Sequence, residues 1–124
     1  MRKKILIVDD SRTIRQQVSF TLTKGGFDVI EAEDGKDGIA KLKSNTDIAV
    51  VISDVNMPNM NGLEFIKNVK AMPGFRFTPI LTLTTESQVE KRDEAKKLGA
   101  TGWLIKPLAG SDLIKIIKQV LPTA

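Results

Sequence analysis

Three aspartates in this chain each end or follow an apolar stretch, which places acidic side chains where they could bind a metal ion. Asp9 and Asp10 come directly after residues 5–8, and Asp54 ends the stretch 48–54. Open α/β sheets bind their ligands at the carboxyl ends of strands. Packing three carboxylates together without a cation is costly, because like charges repel. Mg²⁺ prefers hard oxygen ligands, so neighbouring first and third strands would form a Mg²⁺ site from these aspartates.

A hydroxyl and an ammonium end two further apolar stretches and suit phosphoryl chemistry. Thr84 ends one of them, and Lys106, directly before Pro107, follows the other. An aspartate in such a site can be a nucleophile that takes a phosphoryl group as an acyl phosphate. A fixed cation and a hydroxyl donor can neutralise the added charge. Each residue alone has an ordinary explanation as a cap, turn or surface residue, but all of them at strand ends predict phosphorylation of Asp54.

These residues must be positioned by an alternation of strands and helices. The pattern predicts strands at residues 4–9, 27–32, 48–54, 79–84 and 101–105, and helices at residues 12–24, 35–44, 62–71, 87–98 and 111–121. Five strand–helix units predict a mostly parallel sheet covered on both faces. Two acids in the second strand favour an edge position for it. Ser11, Asn61 and Ser111 are predicted to cap the first, third and fifth helices.

The last two helices differ in their predicted packing. The fifth is amphipathic, with one apolar face formed by Leu113, Ile116, Ile117, Val120 and Leu121. The fourth has few apolar residues, so we expect it to be among the weaker elements and the easiest to displace.

Composition narrows the possible function classes. With 124 residues, the chain suits one domain and is too short for two. It has no cysteine and no histidine, which excludes disulfides, thiolate catalysis and histidine-based catalysis. No apolar stretch approaches a membrane span or a signal peptide, so we expect a cytoplasmic protein that binds no membrane. The net charge is +4, but its basic residues are scattered, so we expect no nucleic-acid binding.

Four motifs resemble the receiver domain of two-component response regulators, and the resemblance covers essentially the whole chain. They are residues 7–11, residues 54–58 with Asn61-Gly62 behind them, Leu83-Thr84, and residues 102–107. The single-domain chemotaxis receivers are the most similar type. The resemblance implies one domain over residues 1–124, with a flavodoxin-like doubly wound fold and a five-stranded parallel sheet in the order 2-1-3-4-5. It also implies a cis peptide bond between Lys106 and Pro107.

The resemblance also implies roles for the site residues. Asp54 would accept a phosphoryl group from a sensor histidine kinase, and Thr84 and Lys106 would bind the phosphate oxygens. Asp10 and Asp54 would ligate Mg²⁺ directly with the backbone carbonyl of Asn56, while Asp9 would act mainly through water.

Two further positions correspond to residues that tune the family's switch. Trp103 matches the switch aromatic of the family. When Thr84 moves toward the phosphate, this aromatic side chain would enter the space that Thr84 leaves. Asn56 and Glu86 match positions that influence hydrolysis of the acyl phosphate.

We therefore expect a signalling switch, with no enzymatic activity beyond its own Mg²⁺-dependent phosphorylation and dephosphorylation. The fourth helix, fifth strand and fifth helix would form the surface that binds a target protein, such as a flagellar motor component or a phosphorelay member, and a phosphatase is a further expected partner. One alternative is a binding module of the same fold that needs no phosphorylation. Another is a flavin-binding flavodoxin-like protein, although Asp9 and Asp10 would repel the flavin phosphate.

Overall fold

Five strands alternate with five helices in the computed structural model, which describes residues 2–121. In chain order they are β1 (Lys4–Val8), α1 (Arg12–Lys24), β2 (Asp28–Ala32), α2 (Gly35–Ser44), β3 (Ile48–Ser53), α3 (Gly62–Ala71), β4 (Ile80–Thr84), α4 (Val89–Leu98), β5 (Gly102–Ile105) and α5 (Gly110–Val120). Each predicted element is present, and the boundaries differ by at most two residues.

The five strands form one parallel sheet in the order β2-β1-β3-β4-β5. This order confirms the predicted doubly wound, flavodoxin-like fold and places β2 at an edge. Val8 pairs with Ser53, and Ser53 pairs with Thr82. The carboxyl ends of the three central strands therefore lie side by side.

Two apolar layers pack against the sheet, because successive strand residues point to opposite faces. Leu6 of β1 belongs to the layer under α2, α3 and α4, whereas Ile5 belongs to the layer under α1 and α5. In the second layer Leu113 and Ile117 are buried, and Ile116, Val120 and Leu121 pack against them, so the predicted apolar face of α5 is confirmed. Burying each such side chain stabilises the fold by roughly 1.5–3 kcal/mol.

Two of the three predicted helix caps are confirmed, and the third is wrong. The Ser11 hydroxyl accepts a hydrogen bond from the Ile14 N–H at 3.3 Å, and the Asn61 side chain accepts one from the Glu64 N–H at 3.0 Å. Ser111 does not cap α5, which begins at Gly110 and has Ala109 at its N-cap.

The early start of α5 has a packing reason. A Cβ on Gly110 would lie 2.7 Å from the Thr21 methyl carbon, so only glycine lets this turn approach α1 so closely. The helix can begin at that contact, which leaves Ser111 exposed within the first turn.

The fourth helix has as few apolar anchors as predicted, since Ala95 is the one buried residue in α4. The helix ends at Gly99, whose φ of 114° lies in the left-handed region. The Lys106–Pro107 peptide is cis, as predicted. Within residues 2–121, no helix is both long enough and apolar enough to cross a membrane.

Candidate functional site

The three predicted aspartates meet at the carboxyl edge of the sheet. The Asp9 N–H donates to the Ala32 carbonyl at 3.1 Å, and the Asp54 N–H donates to the Val8 carbonyl at 2.9 Å. Both residues thereby continue their strands by one position. Asp9, Asp10 and Asp54 each offer a carboxylate oxygen, and these oxygens lie within 4.8 Å of one another. Asp9 and Asp54 are only 3% and 8% exposed, whereas Asp10 faces solvent.

Lys106 brings its ammonium into this acidic cluster from the end of β5. Its Nζ lies 2.8 Å from Asp9 Oδ2 and 3.5 Å from Asp54 Oδ2. The Lys106 main chain is fixed as well, because its N–H donates to the Thr84 carbonyl at 2.8 Å. One ammonium among three carboxylates leaves the cluster with an excess of negative charge, which favours binding of a cation.

The two carboxylate oxygens of Asp54 have different surroundings. Oδ1 accepts hydrogen bonds from the N–H groups of Val55 at 2.6 Å and Asn56 at 3.3 Å. Oδ2 faces Lys106. The amide bonds fix the rotation of the side chain, so one oxygen is tied to the following loop and the other is directed toward the cluster.

The loop after Asp54 depends on close backbone packing. A Cβ on Gly62 would lie 2.5 Å from the Asp54 carbonyl oxygen and 2.5 Å from Val55 Cα, so position 62 must be glycine. The Gly62 N–H also donates to the Val55 carbonyl at 2.8 Å. The start of α3 therefore lies directly against the backbone of Asp54.

Asp34 tethers the same loop, and sequence reasoning missed this role. Its Oδ2 accepts a hydrogen bond from the Asn59 side chain at 2.9 Å, and Asn59 adopts a left-handed φ of 68°. Its Oδ1 accepts the Asp37 N–H at 2.8 Å and so caps α2. Both hydrogen bonds lower the pKa of Asp34, and the bond from the Asp37 N–H has the larger effect. An aspartate followed three residues later by an acid is a helix-start pattern, so the sequence could have revealed the α2 cap but not the bond from Asn59.

The donor set of the cluster fits Mg²⁺. All three side chains supply hard oxygen ligands, and exposed Asp10 leaves room for the waters that Mg²⁺ retains. Asp9, Asp10 and Asp54 are therefore the side chains that would hold the ion. The Asn56 main-chain carbonyl remains a predicted ligand.

Thr84 is fully buried at the end of β4, between the strands that carry Asp54 and Lys106. Its Oγ1 accepts a hydrogen bond from the Glu86 N–H at 3.1 Å. A threonine hydroxyl can accept and donate at the same time. The Thr84 O–H can therefore still be donated to another acceptor.

Glu86 connects the predicted switch residue to α4. Its main-chain carbonyl accepts the indole N–H of half-buried Trp103 at 3.1 Å. Its carboxylate lies 2.8 Å from Lys91 Nζ and accepts the Gln88 N–H at 3.3 Å. These partners, Lys91 foremost, lower the pKa of Glu86. Sequence reasoning missed Lys91, which resembles any other surface lysine of α4.

Comparison with known proteins gives consistent results. Residues 5–118 match the model of the response regulator receiver domain. The chain is 40% identical to the chemotaxis protein CheY1 of Helicobacter pylori over 121 residues, which cover 97% of this chain and 98% of that protein. It is also 40% identical to a chemotaxis protein CheY homolog of Campylobacter jejuni, again over 97% of this chain and over 93% of the relative. Among solved structures, chemotaxis protein CheY4 of Vibrio cholerae superimposes with a TM-score of 0.93 at 49% identity, covering 98% of this chain and all of that one.

Proposed function

The chain belongs to the response regulator receiver domain family, and on that basis we propose that it is a single-domain chemotaxis switch phosphorylated at Asp54. The observation that carries the proposal is the geometry of Asp54 itself. Its Oδ1 is held by two amides, and its Oδ2 is directed toward Lys106 and the other acids. An oriented, buried carboxylate beside a fixed ammonium is suited to nucleophilic attack on phosphorus.

In the proposed reaction, an Asp54 carboxylate oxygen attacks the phosphorus of a phosphohistidine on a sensor histidine kinase. The new O–P bond forms as the P–N bond breaks, and the imidazole nitrogen leaves with the electron pair and gains a proton. Bound Mg²⁺ would neutralise charge on the phosphoryl oxygens. Asp10, Asp54 and the Asn56 main-chain carbonyl would ligate that ion directly, and Asp9 would act mainly through water.

The protein's own groups then stabilise the acyl phosphate. Lys106 lies close enough to Asp54 to move its ammonium from Asp9 toward a phosphoryl oxygen. The Thr84 hydroxyl can donate its hydrogen to another phosphoryl oxygen while still accepting from Glu86. Asn56 and Glu86, two residues beyond Asp54 and Thr84, would control the access of water to the acyl phosphate.

The output surface comprises α4, β5 and α5. Movement of Thr84 would be transmitted through Glu86 to Trp103 and to the weakly anchored α4, which is supported by the bonds that join these residues. A target such as a flagellar motor component would bind this surface when Asp54 is phosphorylated. A phosphatase would return the protein to its resting state.

Intact mass after incubation with acetyl phosphate and Mg²⁺ tests the proposal. The wild-type protein should gain the mass of one phosphoryl group, and Asp54→Asn should gain none. Asp112→Asn, a matched change at an exposed aspartate of α5, should label like the wild type. Full labelling of Asp54→Asn would refute the assignment, and an unlabelled wild type would favour the constitutive binding module.

A further inference from the structure

A groove lies at the opposite edge of the sheet from the acidic cluster. It has a volume of about 840 Å³ and lies between the end of α3, the following loop, the start of β3 and the end of α5. Met72, Pro79 and Val120 contribute apolar surface, and Phe77 stands at its side. Ile48, at the groove, and Asp54 are separated by the length of β3, about 20 Å at 3.3 Å per residue.

The loop that forms this groove is held by hydrogen bonds. Phe75 is buried, its N–H donates to the Met72 carbonyl at 3.2 Å, and its carbonyl accepts the Thr78 N–H at 3.1 Å. Lys70 Nζ reaches across from α3 and donates to the Thr78 carbonyl at 2.5 Å and the Arg76 carbonyl at 3.3 Å. The loop is thus ordered before any partner binds, which lowers the entropic cost of binding.

Phe77 has no role in the core, because it is 88% exposed. The Arg76 guanidinium lies 5.6 Å from the centre of its ring. An exposed aromatic beside a cation, on an ordered loop next to an apolar groove, is typical of a binding hot spot.

The charge of the groove limits what can occupy it. Its described lining includes Lys70 and Arg76 and no acidic residue. Asp47, which precedes the lining residue Ile48, is already paired with Lys4 at 2.9 Å. Burial lowers the pKa of Lys70, so an incoming carboxylate would offset the cost of holding that charge.

These features discriminate between the possible occupants. Two copies of this chain docked through the groove would bring together the same cations with no acid to pair them. A flat membrane would not fill a concave site. We propose that the groove binds an acidic segment of a partner protein that carries an apolar or aromatic anchor residue.

This docking site goes beyond the proposed switch and is separate from it. Because the groove and Asp54 lie at opposite ends of the strands, a partner bound there would leave the acidic cluster accessible. The surface would hold the protein near a partner in both states of phosphorylation.

The test starts from a displayed library of random short peptides, selected on the immobilised 124-residue chain. Enriched peptides should carry net negative charge and at least one large apolar residue. Fluorescence anisotropy with one such peptide should show at least roughly tenfold weaker binding for Phe77→Ser and for Arg76→Glu. Binding to the wild type should weaken as the salt concentration rises.

Phe20 provides the matched control, because it is also exposed, at 64%, and has the Lys24 ammonium 4.8 Å from its ring centre. Phe20→Ser should bind the peptide like the wild type. So should Asp54→Asn, which separates this proposal from that of the phosphoacceptor. Thermal melting should be unchanged in Phe77→Ser and Arg76→Glu, since both side chains are exposed.

Several results would overturn the proposal. They are the absence of enriched peptides, enrichment of neutral or basic ones, or equal effects of Phe20→Ser and Phe77→Ser. Phe77-dependent sedimentation with phosphatidylglycerol vesicles would assign the surface to a membrane instead. Phe77-dependent dimerisation in analytical ultracentrifugation would assign it to a second copy of the chain.

Discussion

Trp103 and Glu86 are joined by a hydrogen bond of 3.1 Å from the indole Nε1–H to the main-chain carbonyl. The N–H of the same Glu86 donates to the Thr84 hydroxyl, also at 3.1 Å. A displacement of Thr84 therefore acts on the residue that binds the indole. Because each bond contributes only about 1 kcal/mol, the connection can be rearranged by a modest change at the site.

Trp103 fluorescence should report this rearrangement. Beryllofluoride, a stable mimic of the acyl phosphate, added with Mg²⁺ should change the emission and the quencher accessibility of Trp103, the only tryptophan. Thr84→Ala should bind the mimic without the change, because it lacks the hydroxyl that connects the site to Glu86. An unchanged signal in fully bound wild-type protein would place the switch elsewhere.

Partner binding should be coupled to this change in both directions. A target that prefers the phosphorylated arrangement of α4, β5 and α5 must also favour phosphorylation of Asp54, because coupling free energies are reciprocal. The bound target should therefore raise the affinity of the protein for beryllofluoride. Bound beryllofluoride should raise the affinity for the target by the same factor. Calorimetric titrations in both orders measure the two factors, and unequal factors would contradict a two-state switch.

Removing Asp10 should have opposite effects with and without Mg²⁺. Asp10→Ala should raise the stability of the metal-free protein by about 1 kcal/mol or less, because it relieves like-charge repulsion in the cluster. It should also abolish most of the rise in melting temperature that Mg²⁺ produces in the wild type. Asp93→Ala, at an exposed acid of α4, should keep that rise. Equal stabilisation of Asp10→Ala and the wild type by Mg²⁺ would exclude Asp10 as a ligand.

The Glu86–Lys91 pair should control the opening of the first turn of α4. Lys91→Met removes a contact of 2.8 Å, so amide hydrogen exchange should accelerate at Arg92, whose N–H donates to the Gln88 carbonyl at 3.2 Å. Arg92→Met makes the same charge change one residue later and leaves the pair intact, so its effect should be smaller. The fold lowers the pKa of Glu86, so acidification through that pKa should remove the difference between Lys91→Met and the wild type. Equal exchange in the two variants at neutral pH would show that the pair does not hold α4.

Asp34→Ala should destabilise the protein by about 1 kcal/mol through loss of the α2 cap alone. The folded protein lowers the pKa of Asp34 below its ordinary value of 3.8, so protonation is harder in the folded state than in the unfolded chain. The stability difference between the variant and the wild type should be complete above that value and should shrink as the pH falls through the folded pKa. Urea unfolding across this pH range measures it. Asp28→Ala, at an exposed strand residue, is the control, and a pH-independent difference for Asp34→Ala would contradict the assignment.

The fold could be predicted closely because its signals are local and repeated. Apolar stretches marked the strands, acids in β2 marked an edge, and Ser11 and Asn61 marked two helix starts. The predicted cap at Ser111 was wrong, although serine is a favoured residue at the N-cap of a helix. The contact between Gly110 and Thr21, which moves the start of α5, joins two helices and has no signature in the local sequence.

The side chains of the site could be located from strand ends, whereas their supports could not. The meeting of Asp9, Asp10 and Asp54 follows from parallel strands that end at one edge. The bond from Asn59 to Asp34 and the pair between Lys91 and Glu86 depend on loop geometry and rotamers. Such contacts are set by the folded structure, and the residue types involved are common on any protein surface.

The contact between Lys106 and Asp9 joins residues that are 97 positions apart. During synthesis the strands that carry Asp9 and Asp54 leave the ribosome well before β5. Until β5 pairs with β4, the two buried carboxylates lack their ammonium partner, and long-range pairings of this kind form late. The ion pair can therefore form only once β5 is in place, so a chain that ends before Lys106 lacks the positive charge that faces Asp9 and Asp54.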